Sequence, residues 1–189
     1  MHSEDAKAFD LSHEKDKTRK IYGDNSFGQG CLLARRLVER DVRFVEVSSS
    51  GWDNHNQIYE NLPPKAEELD VALSALIADL DQRGMLDTTL VVVISEFGRS
   101  GSFSPTVGRS HHPAVFTGIL AGGGVKGGFV YGKSDELGHS PAENAIGIRD
   151  FNATVLASLG IDVAQEIISP IGRPFTPTDG GQPVTDVFV

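Results

Sequence analysis

The sequence predicts an α/β domain with a mostly parallel sheet flanked by helices. Two apolar runs, residues 88–95 (TTLVVVIS) and 115–121 (VFTGILA), have the composition of strands covered on both faces. A third segment, 42–47 (VRFVEV), is β-branched and alternating enough for a strand. Between these runs lie stretches with apolar residues at helical spacing. Parallel neighbours need connections of that length.

Composition narrows the function classes. The chain has 189 residues, 39% hydrophobic and 23% charged, which fits one domain with a sizeable core. Lys and Arg number 17 against 26 Asp and Glu, and there is no basic run. That balance argues against nucleic-acid binding, which needs clustered cations to displace counterions from phosphates. No apolar stretch approaches the roughly 20 residues that span a bilayer, so no membrane span is expected. One cysteine, Cys31, excludes an internal disulfide framework and a thiolate metal cluster.

The elements follow in order. Residues 1–22 are charged and weakly patterned, and read as a polar arm or short solvent-facing helix. From 26 to 40, Phe27, Cys31, Leu32, Leu37 and Val38 recur at helical spacing, which places Arg35, Arg36, Glu39 and Arg40 outside. Pro63 and Pro64 can open the next helix, whose buried stripe is Leu69, Leu73, Leu76, Ile77 and Leu80, with Gly84 as its stop. Residues 129–131 read as a short strand. Asp150 is expected to cap a last helix that runs through Leu159 and stops at Gly160. The α/β domain is thus expected over 23–168, with a Pro/Gly-rich tail, 169–189, packed on it.

Ligands of open α/β sheets bind beyond the carboxyl ends of the strands. That rule singles out the loops 48–57, 96–113 and 122–128. Of six histidines, His2 and His13 lie in the arm, while His55 follows Asp53 in GWDNH and His111 and His112 are adjacent in GRSHHP. Glu96 stands directly after the VVVIS run. A carboxylate with two or three imidazoles at strand ends is a ligand set for Zn²⁺ or a similar divalent ion. The bland alternative is a turn-capping Asp53, a solvated His55 and a polar loop at 111–112. Arg99 and Arg109, in the same loops, can hold the oxygens of a phosphate or sulfate ester bidentately, or form surface ion pairs. Trp52 beside a strand end reads as core.

Three motifs carry less. GGGVKG at 122–127 satisfies G-x-G-x-x-G, but a strand-like FVYG follows where the dinucleotide fingerprint needs a helix, so no nucleotide cofactor is expected. Asn152-Ala-Thr154 fits a glycosylation triplet on an expected helix. No G-x-S-x-G nucleophile elbow occurs.

The ordered motifs YGDNSFGQGCLLARRLVERDVRFVEV, GWDNH, ALIADLDQRGMLDTTLVVVISEFGRS, GRSHHPAVFTGILAGGGVKGG and GRPF resemble the planctomycete-type DUF1501 family. Those proteins look like members of the alkaline phosphatase and sulfatase superfamily. The resemblance implies an alkaline phosphatase-like fold present in part, as the C-terminal portion of a longer protein. It also implies that the nucleophile and a first-strand Asp lie outside this chain, and that the full-length protein is exported or periplasmic. It makes Asp53, His55 and His111 resemble the ligands of one metal. Glu96 falls in the turn that usually supplies an Asp-His pair to a second metal, where Phe97 has no lone pair to give. Relatives tend to have an aromatic residue at His112, the weaker candidate of the adjacent pair.

The implied activity is metal-dependent hydrolysis of a small-molecule or glycan sulfate or phosphate ester, with Zn²⁺, or alternatively Mn²⁺, Ca²⁺ or Mg²⁺. The alternative is a non-catalytic binding module that retains the fold with a degraded metal site. Oligomeric state is left open by the sequence.

Overall fold

The computed structural model describes residues 6–189, so His2 and the start of the expected arm lie outside the described residues. The chain divides into two compact units. The first comprises Met1–Leu86 with Ser102–Ser110, and the second comprises Asp87–Gly101 with His111–Val189.

The first unit is built on helices α1 (Asp16–Ile21), α2 (Ser26–Val38) and α3 (Ile58–Gln82). Asn25 opens α2 as expected of a short polar cap, its Oδ1 accepting from Gly28 N–H at 2.8 Å. Gly28 lies so close to the preceding turn that a Cβ there would sit 1.8 Å from the Tyr22 carbonyl oxygen. Tyr22, Cys31, Leu32, Ala72 and Ala75 form the buried core, with Leu11, Phe27, Val47 and Leu76 packed against it. The small side chains of Ala72 and Ala75 let α3 approach α2 closely. Burial pushes the Cys31 thiol up to about 11, so at neutral pH it is a protonated, apolar core group.

Three expectations change here. Helix α3 begins at Ile58, before the proline pair, because Ile58 N–H donates to Val107 O at 2.9 Å and Gln57 N–H to Thr106 O at 3.1 Å. The prolines therefore lie inside the helix, and the carbonyls they leave unpaired belong to the exposed Tyr59 and Glu60. Gly84, at φ 66°, follows the end of α3 as expected. Residues 42–47 form no ladder, and Phe44 is 73% exposed.

The third change concerns Arg35 and Arg36, which face inward rather than outward. Arg35 is 1% exposed and meets Glu14 at 2.9 Å, Asp79 at 2.9 Å and Glu39 at 2.5 Å. Its Nε and Nη2 approach their carboxylates without hydrogen-bond alignment, so those two contacts act as ion pairs. Arg36 holds Glu14 at 2.7 Å and donates to the carbonyls of Ala8 and Lys7. Arg83 and the Tyr22 hydroxyl complete the shell of Asp79 at 2.7 and 2.9 Å. The described part of the expected arm is thereby tied down through Glu14, with Ala8 and Tyr22 buried.

The second unit holds four two-stranded antiparallel ladders and helix α4 (Ile148–Ser158). Strand β1 (Leu90–Val93) pairs with β4 (Ile119–Gly122), Leu90 opposite Gly122 and Val93 opposite Ile119. Each expected run contributes a strand over part of its length, but this pair is antiparallel. The reason lies in the connection, residues 94–118, which carries no helix and turns back through the short ladder β2 (Gly98–Arg99) to β3 (His111–His112).

Strands β5 (Lys133–Ser134) and β6 (Pro141–Glu143) pair beyond residues 129–131, which form no strand, and β7 (Ile167–Ile168) pairs with β8 (Pro174–Phe175). Asp150 acts from inside the first turn of α4, with Oδ2 accepting from Gly147 N–H and Oδ1 from Gln182 N–H, each at 2.9 Å. The hydrogen bonds from Gln182 and Gly147 hold its carboxyl below the usual range. Val184 N–H reaches Thr154 Oγ1 at 2.9 Å, and the chain end pairs with the glycine loop through Lys126 N–H to Val187 O at 2.8 Å. The tail thus packs on its own unit. No described helix is long and apolar enough to cross a membrane.

Arg35→Met should remove one cation from three buried or half-buried carboxylates and destabilise the first unit by about 3–5 kcal/mol, read as a lower urea midpoint. Burial alone would raise the Glu14 and Asp79 carboxyls, but at Glu14 the Arg36 hydrogen bond and the Arg35 ion pair, and at Asp79 the hydrogen bonds from Arg83 and Tyr22, outweigh it and lower both. Folded values below the ordinary 4.5 and 3.8 mean stabilisation that is fully present above those values. It should be lost as pH falls through the lowered folded values. Urea midpoints measured from pH 7 downward check this, and Arg35→Met should flatten the acid limb.

Candidate metal centre

The loop 48–57 leaves the core of the first unit through polar and small residues and is folded by its own short-range hydrogen bonds. Trp52, half-buried, donates from Nε1 to Ser49 Oγ at 2.9 Å. Asn54 N–H reaches Trp52 O at 3.0 Å and His55 N–H reaches Asp53 O at 3.2 Å. These tight turns place Asp53 and His55 side by side, with His55 Nε2 2.9 Å from Asp53 Oδ1. Both side chains are at least half exposed. A carboxylate oxygen and an imidazole nitrogen at this separation can share a cation with little rearrangement.

A second segment of the same unit, 102–110, is laced onto that loop. Arg109 N–H donates to Asn54 O at 3.0 Å, while Ser104 and Thr106 hydroxyls both reach His55 O. Phe103 packs 5.5 Å from Tyr59, and the Arg109 guanidinium lies 4.5 Å over the Phe103 ring. Arg109 is therefore held by an aromatic face close to where its chain crosses Asn54. His111 follows Arg109 by two residues, so connectivity alone keeps its Cα within about 7 Å of that of Arg109.

In the second unit the β2–β3 ladder sets Arg99 opposite His111 and Gly98 opposite His112. Gly98 has no room for a side chain: a Cβ would sit 2.0 Å from the Val115 carbonyl oxygen. Phe97 stacks on the His111 ring with centroids 4.3 Å apart, and the Arg99 guanidinium lies 5.7 Å from the Phe97 centroid. Glu96, exposed, immediately precedes this stack. His112 turns to the loop 135–140, where its Nε2 lies 2.9 Å from His139 O. That loop is knotted by Asp135, which accepts from the backbone N–H groups of Leu137, His139 and Ser140. His112 is thus a loop anchor, which suits its lower standing as a ligand.

Among the sequence-derived candidates, Asp53 and His55 meet directly, and Arg109 belongs to the loop pinned beside them. Arg99 and His111 pair in one short ladder of the second unit, and Glu96 lies two residues before it. Asp53, His55 and His111 each present one exposed donor atom suited to a cation. Sequence reading missed Ser104, Thr106 and Gly108, because their contacts with His55 are tertiary. The only local signal was a Ser-Pro-Thr-x-Gly turn whose glycine is the first residue of GRSHH.

Comparison with known proteins adds one finding. The model of DUF1501, described as a protein of unknown function, matches residues 1–188. No curated protein and no solved structure matches the chain. The chain is a member of the DUF1501 family.

Proposed function

We propose that this chain binds one divalent cation through Asp53, His55 and His111, with Glu96 as a further carboxylate. In this reading it is the metal-binding, C-terminal portion of an alkaline phosphatase/sulfatase-like α/β hydrolase acting on a sulfate or phosphate ester. The observation that carries the reading is the Asp53–His55 pair at 2.9 Å, on a loop tied by Asn54 to the strand of chain that leads into His111. The donor set of one carboxylate and two imidazoles suits Zn²⁺ first and Mn²⁺ next, with Ca²⁺ and Mg²⁺ behind them because they favour all-oxygen sites. A bound ion would supply Lewis acidity toward the ester oxygens. In this reading Arg109, steadied on Phe103, and Arg99, beside Phe97, would take the remaining anionic oxygens.

One observation favours the second reading, a non-catalytic module. Where the superfamily pattern expects a second metal ligand, Phe97 instead covers one face of His111. An aromatic ring there stiffens the imidazole but donates no lone pair, so a second ion would lose one ligand on that side.

Calorimetric titration with Zn²⁺ should show one ion bound by the chain, with affinity lost in Asp53→Asn and His111→Ala. Aryl phosphate and aryl sulfate assays with added Zn²⁺, Mn²⁺, Ca²⁺ or Mg²⁺ should show little or no turnover, since Phe97 stands where the superfamily pattern expects a second metal ligand. Absence of ion binding would leave the non-catalytic module standing. Robust saturable turnover abolished by His111→Ala would overturn the one-ion reading.

A further inference from the structure

Surface-loop carbonyls usually face water, but that of His55 is a point of convergence. It accepts from Thr106 Oγ1 at 2.9 Å and from Ser104 Oγ at 3.3 Å, and those two hydroxyls lie 3.0 Å from each other. Gly108, buried, passes directly over the same group: a Cβ on it would stand 1.9 Å from the His55 carbonyl carbon and 2.1 Å from its oxygen. Gly108 is not in the left-handed region, so contact alone, and not backbone strain, excludes a side chain. Val107, between them, is held at φ 57°, an uncommon conformation for a β-branched residue. Its N–H donates to Ser104 O at 3.0 Å and its carbonyl accepts from Ile58 N–H at 2.9 Å.

We propose that Thr106 and Gly108 are positioning residues for the His55 imidazole, a role that rests on the cation reading of Asp53, His55 and His111. An imidazole can meet a cation in register only if its backbone is fixed, because a small rotation at Cα displaces the ring nitrogen by much more. Asp53 steadies the ring end of His55, and the 104–108 turn clamps the main-chain end. Ser104 also serves the turn itself, its Oγ accepting from Gly108 N–H at 3.1 Å, so its loss would disturb the loop. Thr106 is the cleaner lever. Its side chain is exposed, and its hydroxyl serves the His55 carbonyl and the Ser104 hydroxyl. Loss of partners that orient metal ligands weakens metal binding by about 10–100-fold.

The experiment is calorimetric titration of the full chain with Zn²⁺ alone, for the unaltered protein, Thr106→Val, Thr106→Ser and Gly108→Ala, with a urea midpoint for each. Thr106→Val should weaken Zn²⁺ binding by about 10-fold or more with an unchanged urea midpoint, and Thr106→Ser should restore it. Gly108→Ala should weaken binding at least as much. Should its added methyl unfold the loop, the Thr106→Val and Thr106→Ser pair decides alone. Equal Zn²⁺ affinity in Thr106→Val and the unaltered protein would overturn the positioning role and leave the cation reading intact. Equal weakening in Thr106→Val and Thr106→Ser would overturn it too. Absence of Zn²⁺ binding by the unaltered protein would overturn the cation reading, and the positioning role with it.

Discussion

The Arg35 guanidinium is the point on which the first unit is assembled. It draws in Glu14 from the segment before α1, Glu39 from the end of α2 and Asp79 from α3. Each of those carboxylates is shared with a second cation, Arg36 for Glu14 and Arg83 for Glu39 and Asp79. Buried charge is costly to desolvate, so it persists only where every ion has partners on several sides. Arginine suits this role because its planar fork presents donors in several directions at once, whereas a lysine ammonium would concentrate its charge at one point. The Tyr22 hydroxyl ties this polar layer to the apolar core of Leu32, Ala72 and Ala75.

The candidate metal loop draws on that frame from one side. Helix α3, whose far end carries Asp79, starts at Ile58, immediately after the loop that holds Asp53 and His55. Its start is fixed by hydrogen bonds from Gln57 and Ile58 to the 106–107 carbonyls. Gln57 and Val107 both take positive φ at this junction, 45° and 57°. Two non-glycine residues in that region within one small junction mark local strain, which persists only where neighbouring contacts over-determine the backbone. Here the contacts are the paired carbonyls and the close seat of Gly108.

Local periodicity made α2, the stop at Gly84, the body of α4 and the existence of β1 and β4 legible. The direction of β1 against β4 was not. Apolar continuity reports that both faces are covered and is silent about orientation, which depends on whether 94–118 crosses over or folds back. Arg35 and Arg36 were placed outside because a helical wheel sees charge and not the carboxylates of Glu14 and Asp79, distant in sequence, that receive it. Residues 42–47 have strand composition, yet among the described residues they join no ladder, and composition cannot supply a partner. Of the site, the Asp53–His55 pair was readable because residues two apart in a tight turn can face one another. The roles of Thr106 and Gly108 were not, since they arise only when two loops about fifty residues apart are laced together.

The chain passes between its two units three times, after Leu86, after Gly101 and after Ser110. Neither unit is therefore a contiguous stretch that could be excised, swapped or duplicated by a single genetic joint. The nine residues Ser102–Ser110 reach the first unit as an insert within the second. Recombination that moved residues 1–86 alone would leave behind the turn that closes over His55. The same joint would part Asp53 and His55 from Glu96 and His111, so the candidate ligands stay together only when the whole chain moves as one piece.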